Sequence, residues 1–182
     1  MKTVLIPLAT GFEEIEAITI IDVLRRAGAE VVTAGLEKRN VTGSHAIHLV
    51  ADSVLAEEIE KDWDLVVLPG GVPGTPNLAA DERLIKLLQT HFGKDRLTAA
   101  ICAAPSILDQ AGLLTDKPAT IHPTWAKKLD TARYTGARVE ISGKIVTGMS
   151  AGTAMEFAFK LVEQLFGAEK VAEVNSGMAA KL

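Results

Sequence analysis

A chain of 182 residues can bury a substantial core without disulfide or metal staples, and 48% hydrophobic against 23% charged residues mark it as globular rather than disordered. Nineteen lysines and arginines against 23 acids leave a net charge of −4, scattered along the chain, so there is no basic stripe to hold nucleic acid. One cysteine excludes an internal disulfide, no apolar run approaches the ~20 residues of a membrane span, and Met1–Leu8 lacks the length and cleavage site of a signal peptide, so a cytoplasmic protein is expected.

Thr3–Leu8 is an apolar run of strand length, and Glu13–Ala27 follows as a helix closed by Gly28. Glu30–Ala34 is the second strand. Val41–Asp52, with His45 and His48, breaks the alternation and reads as an added hairpin. Leu65–Leu68 forms a third strand that runs into Pro69-Gly70-Gly71, and Asp81–Phe92 is a helix closed by Gly93. Leu97–Ile101 is a fourth strand leading directly to Cys102. The helix Pro105–Ala111 ends at Gly112, the strand Lys144–Thr147 comes next, and the helix Thr153–Phe166 ends at Gly167. Continuous rather than alternating hydrophobicity in the strands requires a sheet covered on both faces. The expected fold is therefore α/β: one domain over residues 1–182, three-layered and doubly wound, flavodoxin-like, with a mostly parallel sheet. Ligands of such folds bind outside the carboxyl ends of the strands. Those ends carry Ala9–Glu16, Pro69-Gly70-Gly71 and Cys102, which form one site if the three strands are neighbours.

Small residues surround Cys102 in Ala99-Ala100-Ile101-Cys102-Ala103-Ala104-Pro105. A nucleophile on a sharp strand-to-helix turn needs such neighbours, and the helix N-terminus behind it favours a thiolate. A lone cysteine taken by itself is more often a small buried hydrophobe. Glu13, Glu14 and Glu16 suit the positive end of a helix, but Glu16 stands where the helix turns apolar (Ile15, Ala17, Ile18, Ile20, Ile21). Burial there would raise its pKa and let it hold or pass a proton. Gly70-Gly71 is either a tight turn or a nest of backbone N–H groups for an anion. His122 is a base, a substrate binder or a core histidine bonded to backbone. His45, His48 and His91 show no partners, and no spacing suggests a zinc site.

Taken together, Gly11-Phe12-Glu13-Glu14-Ile15-Glu16, Asp22–Gly28, Asp64–Gly71, Ala99–Pro105, His122-Pro123 and Gly152–Phe157 resemble the ThiJ/PfpI superfamily, in the branch of the human parkinsonism-associated protein. The resemblance implies a reactive Cys102 on a nucleophile elbow, a protonated Glu16 touching it, and Gly71 and Ala103 N–H groups facing the sulfur. It places His122 near the pocket and implies a homodimer that uses the first helix. Two departures stand out. Ala103 follows Cys102 where the protease-like branch has histidine, which weakens a proteolytic triad. Met149-Ser150-Ala151-Gly152-Thr153 replaces a Gly-Pro-Gly-Thr loop common among relatives.

The activity implied is that of a glyoxalase III or deglycase. Cys102 would add to methylglyoxal or glyoxal, or act on their early protein adducts, and Glu16 would move protons, with no cofactor, metal or glutathione. The other reading is a redox-responsive chaperone or oxidative-stress sensor that oxidises the same cysteine without turnover.

Overall fold

The computed structural model describes residues 1–180. In chain order the elements are β1 (Thr3–Leu8), α1 (Glu14–Arg26), β2 (Glu30–Gly35), β3 (Asn40–Thr42), β4 (His48–Val50), β5 (Ser53–Val54), α2 (Leu55–Glu58), β6 (Leu65–Leu68), α3 (Gly74–Ala79), α4 (Glu82–Gly93), β7 (Leu97–Ile101), α5 (Pro105–Gln110), β8 (Pro118–Ala119), β9 (Arg133–Tyr134), β10 (Val139–Ser142), β11 (Ile145–Gly148), α6 (Ala154–Phe166) and α7 (Ala168–Met178). Two 3-10 turns occupy Pro123–Lys128 and Ala151–Thr153.

Seven strands form one sheet in the order β10-β11-β7-β6-β1-β2-β5. Every neighbouring pair is parallel except β10–β11, which is antiparallel. Successive side chains of a strand point to opposite faces, and here both faces are apolar. Val4, Ile6, Leu8, Val67, Ala99, Ile101 and Val146 pack with Ala17, Ile20 and Leu24 of α1 and Phe157, Ala158 and Leu161 of α6. Leu5, Val66, Leu68, Ala100 and Ile145 pack with Leu78, Leu84, Leu88, Ile107 and Leu108 from α3, α4 and α5. This is the α/β, flavodoxin-like, doubly wound arrangement that the apolar runs require. No helix among the described residues is long and apolar enough to cross a membrane.

Three local details depart from expectation. The helix over Asp81–Phe92 begins one residue later, because Asp81 is its N-cap and accepts from Arg83 N–H at 2.9 Å. It also incorporates Gly93, so the left-handed position falls on Asp95 (φ 57). Beyond the expected elements, β10 pairs along the edge of the sheet and α7 packs Val174 beside α6. Val41–Asp52 does contain a hairpin, the separate two-stranded β3–β4 sheet. Asp52 closes it by accepting from Thr33 N–H (2.9 Å), Thr33 Oγ1 (2.8 Å) and Arg25 Nη2 (2.8 Å).

Helix α1 buries most of its circumference but leaves Ile15 and Ile18 exposed, as are Ile47 and Val50 of the hairpin. A helix that only covered a sheet would carry one apolar stripe.

Candidate active site

Strands β1, β6 and β7 are adjacent, so the three unusual strand ends do meet. At the end of β7 the chain reverses into α5 through Cys102, which takes the left-handed conformation (φ 63). That conformation costs a non-glycine residue ~1–2 kcal/mol and persists only where surroundings over-determine it. Two bonds do so here. Cys102 N–H donates to the Gly148 carbonyl at the end of β11 (3.0 Å), and the Cys102 carbonyl accepts from His122 N–H (2.9 Å). Ala103 and Ala104 are buried beneath the turn, where a larger side chain would not fit.

Glu16 lies in the first turn of α1 and is completely buried. The helix is aimed by its own cap, since Glu13 Oε2 accepts from Glu16 N–H at 2.8 Å. Glu16 Oε2 accepts from Gly70 N–H at 2.8 Å, and Oε1 has no hydrogen-bond partner among the described residues. Burial pushes the carboxyl up to about 7; hydrogen bonds from Cys102 and Gly70 oppose this, and the Glu13 charge adds to it. A carboxylate at that value is half-protonated near neutrality.

Cys102 is partly exposed. Burial, then the charge of Glu16 and a hydrogen bond to it, push the thiol up to about 12, while the N–H groups of Ala103 and Gly71 pull the other way. The helix end was expected to favour a thiolate; burial and the neighbouring carboxylate outweigh it, and α5 is only six residues long. The two groups therefore titrate as a pair. With Glu16 ionised the thiol keeps its proton, and with Glu16 protonated the main electrostatic obstacle to a thiolate is gone.

Glycines make this proximity possible. A Cβ at Gly70 would stand 2.6 Å from the Cys102 Cβ and 2.9 Å from Glu16 Oε2. Gly71 is left-handed (φ 100), and a Cβ there would meet Glu13 N and the Gly11 carbonyl at 2.4 Å. The structure thus brings Cys102, Glu16, Gly71 and Ala103 together. His122 is placed differently. Its backbone holds the elbow, while its ring caps the following turn, with Nδ1 2.8 Å from Thr124 Oγ1 and 3.3 Å from Thr124 N. His91, left without a partner in the sequence, is buried and bonds the Leu97 carbonyl through Nε2 at 2.8 Å. The loop after β11 is pinned by Arg138, which donates to Glu156 Oε2 (2.7 Å) and the Gly152 carbonyl (3.2 Å).

Sequence reasoning missed what Glu14 does. It is buried and accepts from His45 N–H (2.7 Å), Ile47 N–H (3.4 Å) and Ser44 Oγ (3.1 Å), which moors the hairpin to α1. Burial raises its pKa, but bonds from the side chain and backbone of His45 outweigh that and bring it to about 2. Thirty-one positions separate Glu14 from His45, so no local spacing reveals the pair.

A profile of the DJ-1/PfpI family matches residues 2–164. The chain belongs to this family. Among its DJ-1/PfpI relatives, protein DJ-1 homolog B of Arabidopsis thaliana is 44% identical over 183 residues, which cover 99% of this chain and 42% of that protein. The chain thus spans less than half of that relative. Glutathione-independent glyoxalase DJR-1.2 of Caenorhabditis elegans is 37% identical over 160 residues, or 87% of this chain and 85% of that protein. The crystal structure of Drosophila melanogaster DJ-1beta matches with a TM-score of 0.95 at 38% identity, covering 98% of this chain and 97% of that one.

Proposed function

We propose that this DJ-1/PfpI protein is a glutathione-independent glyoxalase of the deglycase type, acting on methylglyoxal, glyoxal and their early protein adducts. The observation that carries the reading is the completely buried Glu16 carboxyl, set beside Cys102 around Gly70 and pushed up to about 7 by burial. A general base works best with a pKa near the working pH. Support also comes from the family, which includes a protein named as a glutathione-independent glyoxalase.

The steps balance without an outside oxidant. Glu16 takes the thiol proton as Cys102 sulfur bonds to the aldehyde carbon of methylglyoxal, giving a hemithioacetal whose oxygen is protonated. Glu16, having lost that proton, removes the hydrogen from the former aldehyde carbon while the ketone oxygen takes up a proton, giving an enediol. The hydroxyl on the sulfur-bearing carbon then releases its proton as one is added to the adjacent carbon. The aldehyde carbon is thereby oxidised and the ketone carbon reduced, leaving a lactoyl thioester. Water hydrolyses it to lactate and frees the thiol. Gly71 and Ala103 N–H groups, already facing the sulfur, stabilise the negative oxygen that develops beside it. Glu16 Oε1, buried without a partner, is the oxygen free to take the carbon-bound proton. His122 acts through its backbone N–H, which fastens the Cys102 carbonyl.

The test is conversion of methylglyoxal to lactate without glutathione, with lactate itself detected. Wild type should produce it, and Cys102→Ser and Glu16→Gln should each lose it. Disappearance of methylglyoxal with no lactate would reduce the protein to a thiol scavenger and refute the reading.

The redox-sensor reading shares the site, since Gly71 and Ala103 N–H groups would also hold a sulfinic acid. It needs a resident thiolate, which burial and the Glu16 charge oppose while Glu16 is ionised. Peroxide titration followed by mass spectrometry decides it: oxidation of Cys102 no faster than a free thiol sinks the sensor. The exposed Ile15 and Ile18 on α1, with Ile47 and Val50 on the hairpin, support a homodimer through the first helix. Sedimentation of Ile18→Glu against wild type tests it, with equal masses as the refuting result.

A further inference from the structure

The bonds that moor the hairpin also gather three metal-ligating side chains outside the Cys102–Glu16 pair. Glu14 Oε2 lies 2.9 Å from His45 Nδ1, and Glu13 Oε1 lies 4.0 Å from the same nitrogen. One donor atom from each of the three residues is within 4.8 Å of the other two. Donors ~2.0–2.2 Å from a zinc ion sit about 3.3 Å apart in a tetrahedral site. Closing the trio onto an ion thus asks for a small rotation of Glu13 and a slight opening of the Glu14–His45 pair.

We propose that Glu13, Glu14 and His45 form a binding site for a divalent transition-metal ion of the zinc class. The first argument is charge. The Glu13 and Glu14 side chains are only 13% and 7% exposed, yet among the described residues neither has a lysine or arginine within ion-pair distance. Their only ionic partner is His45, whose side chain is 72% exposed. Two nearly buried carboxylates facing one open imidazole make a pocket of unbalanced negative charge.

The second argument is that the donors are already oriented by bonds the metal would leave intact. Glu14 Oε1 keeps His45 N–H and Ile47 N–H, and Glu13 Oε2 keeps its cap on Glu16 N–H. The contacts the metal would meet are those at His45 Nδ1, to Glu14 Oε2 (2.9 Å) and Ser44 Oγ (3.1 Å), and the Ser44 Oγ bond to Glu14 Oε2 (3.1 Å). Outer bonds that fix a carboxylate or imidazole are what second-shell partners supply in metal sites. The exposed side of His45 leaves the remaining positions to water, so the donor set is one nitrogen and two oxygens on one face. The positive end of α1 opposes a cation by ~0.3–1 kcal/mol, less than two carboxylates and an imidazole contribute.

The experiment uses Cys102→Ser protein, which removes the thiol as a competing ligand and leaves the proposal independent of the glyoxalase reading. Zinc chloride is titrated calorimetrically, and cobalt(II) is followed by its visible absorption. One equivalent of either ion should bind. His45→Ala and Glu13→Gln, each in the Cys102→Ser background, should weaken binding at least tenfold. A glutamine oxygen can still cap α1, so Glu13→Gln should melt as the parent does, while His45→Ala should stay folded with a lower melting temperature because buried Glu14 loses its imidazole partner. No binding to the parent would overturn the proposal. Binding that survives both substitutions would also overturn it, by placing the ion on other surface groups.

Discussion

Replacing Glu16 by glutamine removes a charge from the most buried carboxyl of the site while keeping an acceptor for Gly70 N–H. The folded-state pKa of Glu16 is about 7, above its ordinary 4.5. Between those values the folded chain holds a proton that the unfolded chain has lost, so stability falls as pH rises through this window. At ~1.36 kcal/mol per pH unit, the burden on the wild type accumulates from nothing below pH 4.5 to about 3 kcal/mol above pH 7. Glutamine carries no such burden. Glu16→Gln should therefore melt with wild type at pH 4.5 and well above it at pH 8. At ~2–4 °C per kcal/mol for a chain of this size, the gap should reach roughly 6–12 °C. The assay is thermal unfolding by circular dichroism from pH 4 to 8.5, stopping below the range where the Cys102 thiol adds its own titration. A gap that does not change with pH, or a wild type that gains stability on this variant as pH rises, would refute the assignment of a buried, raised carboxyl.

Three further outcomes follow from the same geometry. Gly70→Ala drives a methyl group into Cys102 and Glu16, and lactate formation should fall roughly 100-fold, as small misplacements of reacting groups do; near-normal turnover would show that the pair is not closely set. Cys102→Gly should be more stable than Cys102→Ala by up to about 1 kcal/mol in urea denaturation, because only glycine relieves the left-handed backbone; the reverse order would mean that the elbow is unstrained. Glu14→Ala should cost roughly 2–3 kcal/mol at pH 7 through lost charge-assisted bonds to the hairpin. Since the folded pKa of Glu14 lies near 2, below its ordinary 4.5, that stabilisation is present above 4.5 and disappears as pH falls toward 2. A pH-independent cost would separate the mooring from ionisation.

The layer order was legible because a strand covered on both sides must be apolar at every position, and Leu65–Leu68 and Leu97–Ile101 are. Cys102 and Glu16 could be singled out for a related reason: each is a polar residue set in a run whose neighbours are small or apolar. The edge strand β10 was missed because its Val-Glu-Ile-Ser sequence is half-exposed and carries no continuous apolar signal. Helix α3 was missed because Gly74 and Pro76 argue against a helix that its neighbours nonetheless hold. The influence of Glu16 on the thiol was not legible, since a local rule about helix ends cannot weigh a carboxylate delivered from α1. Residue type singled out the proposed pair; only the tertiary structure sets its charge.

Cys102 is held at its backbone by Gly148 on one side and His122 on the other, so its geometry depends on three segments distant in sequence. No fragment that ends before β11 can build the elbow. In such a fragment, or in a transiently opened native chain, Cys102 is an ordinary thiol with a pKa near ~8.5, no longer paired with Glu16. Local opening at β11 or at the His122 loop therefore uncouples the thiol from Glu16 without altering either side chain, which ties the reactivity of the single cysteine to the stability of two remote segments.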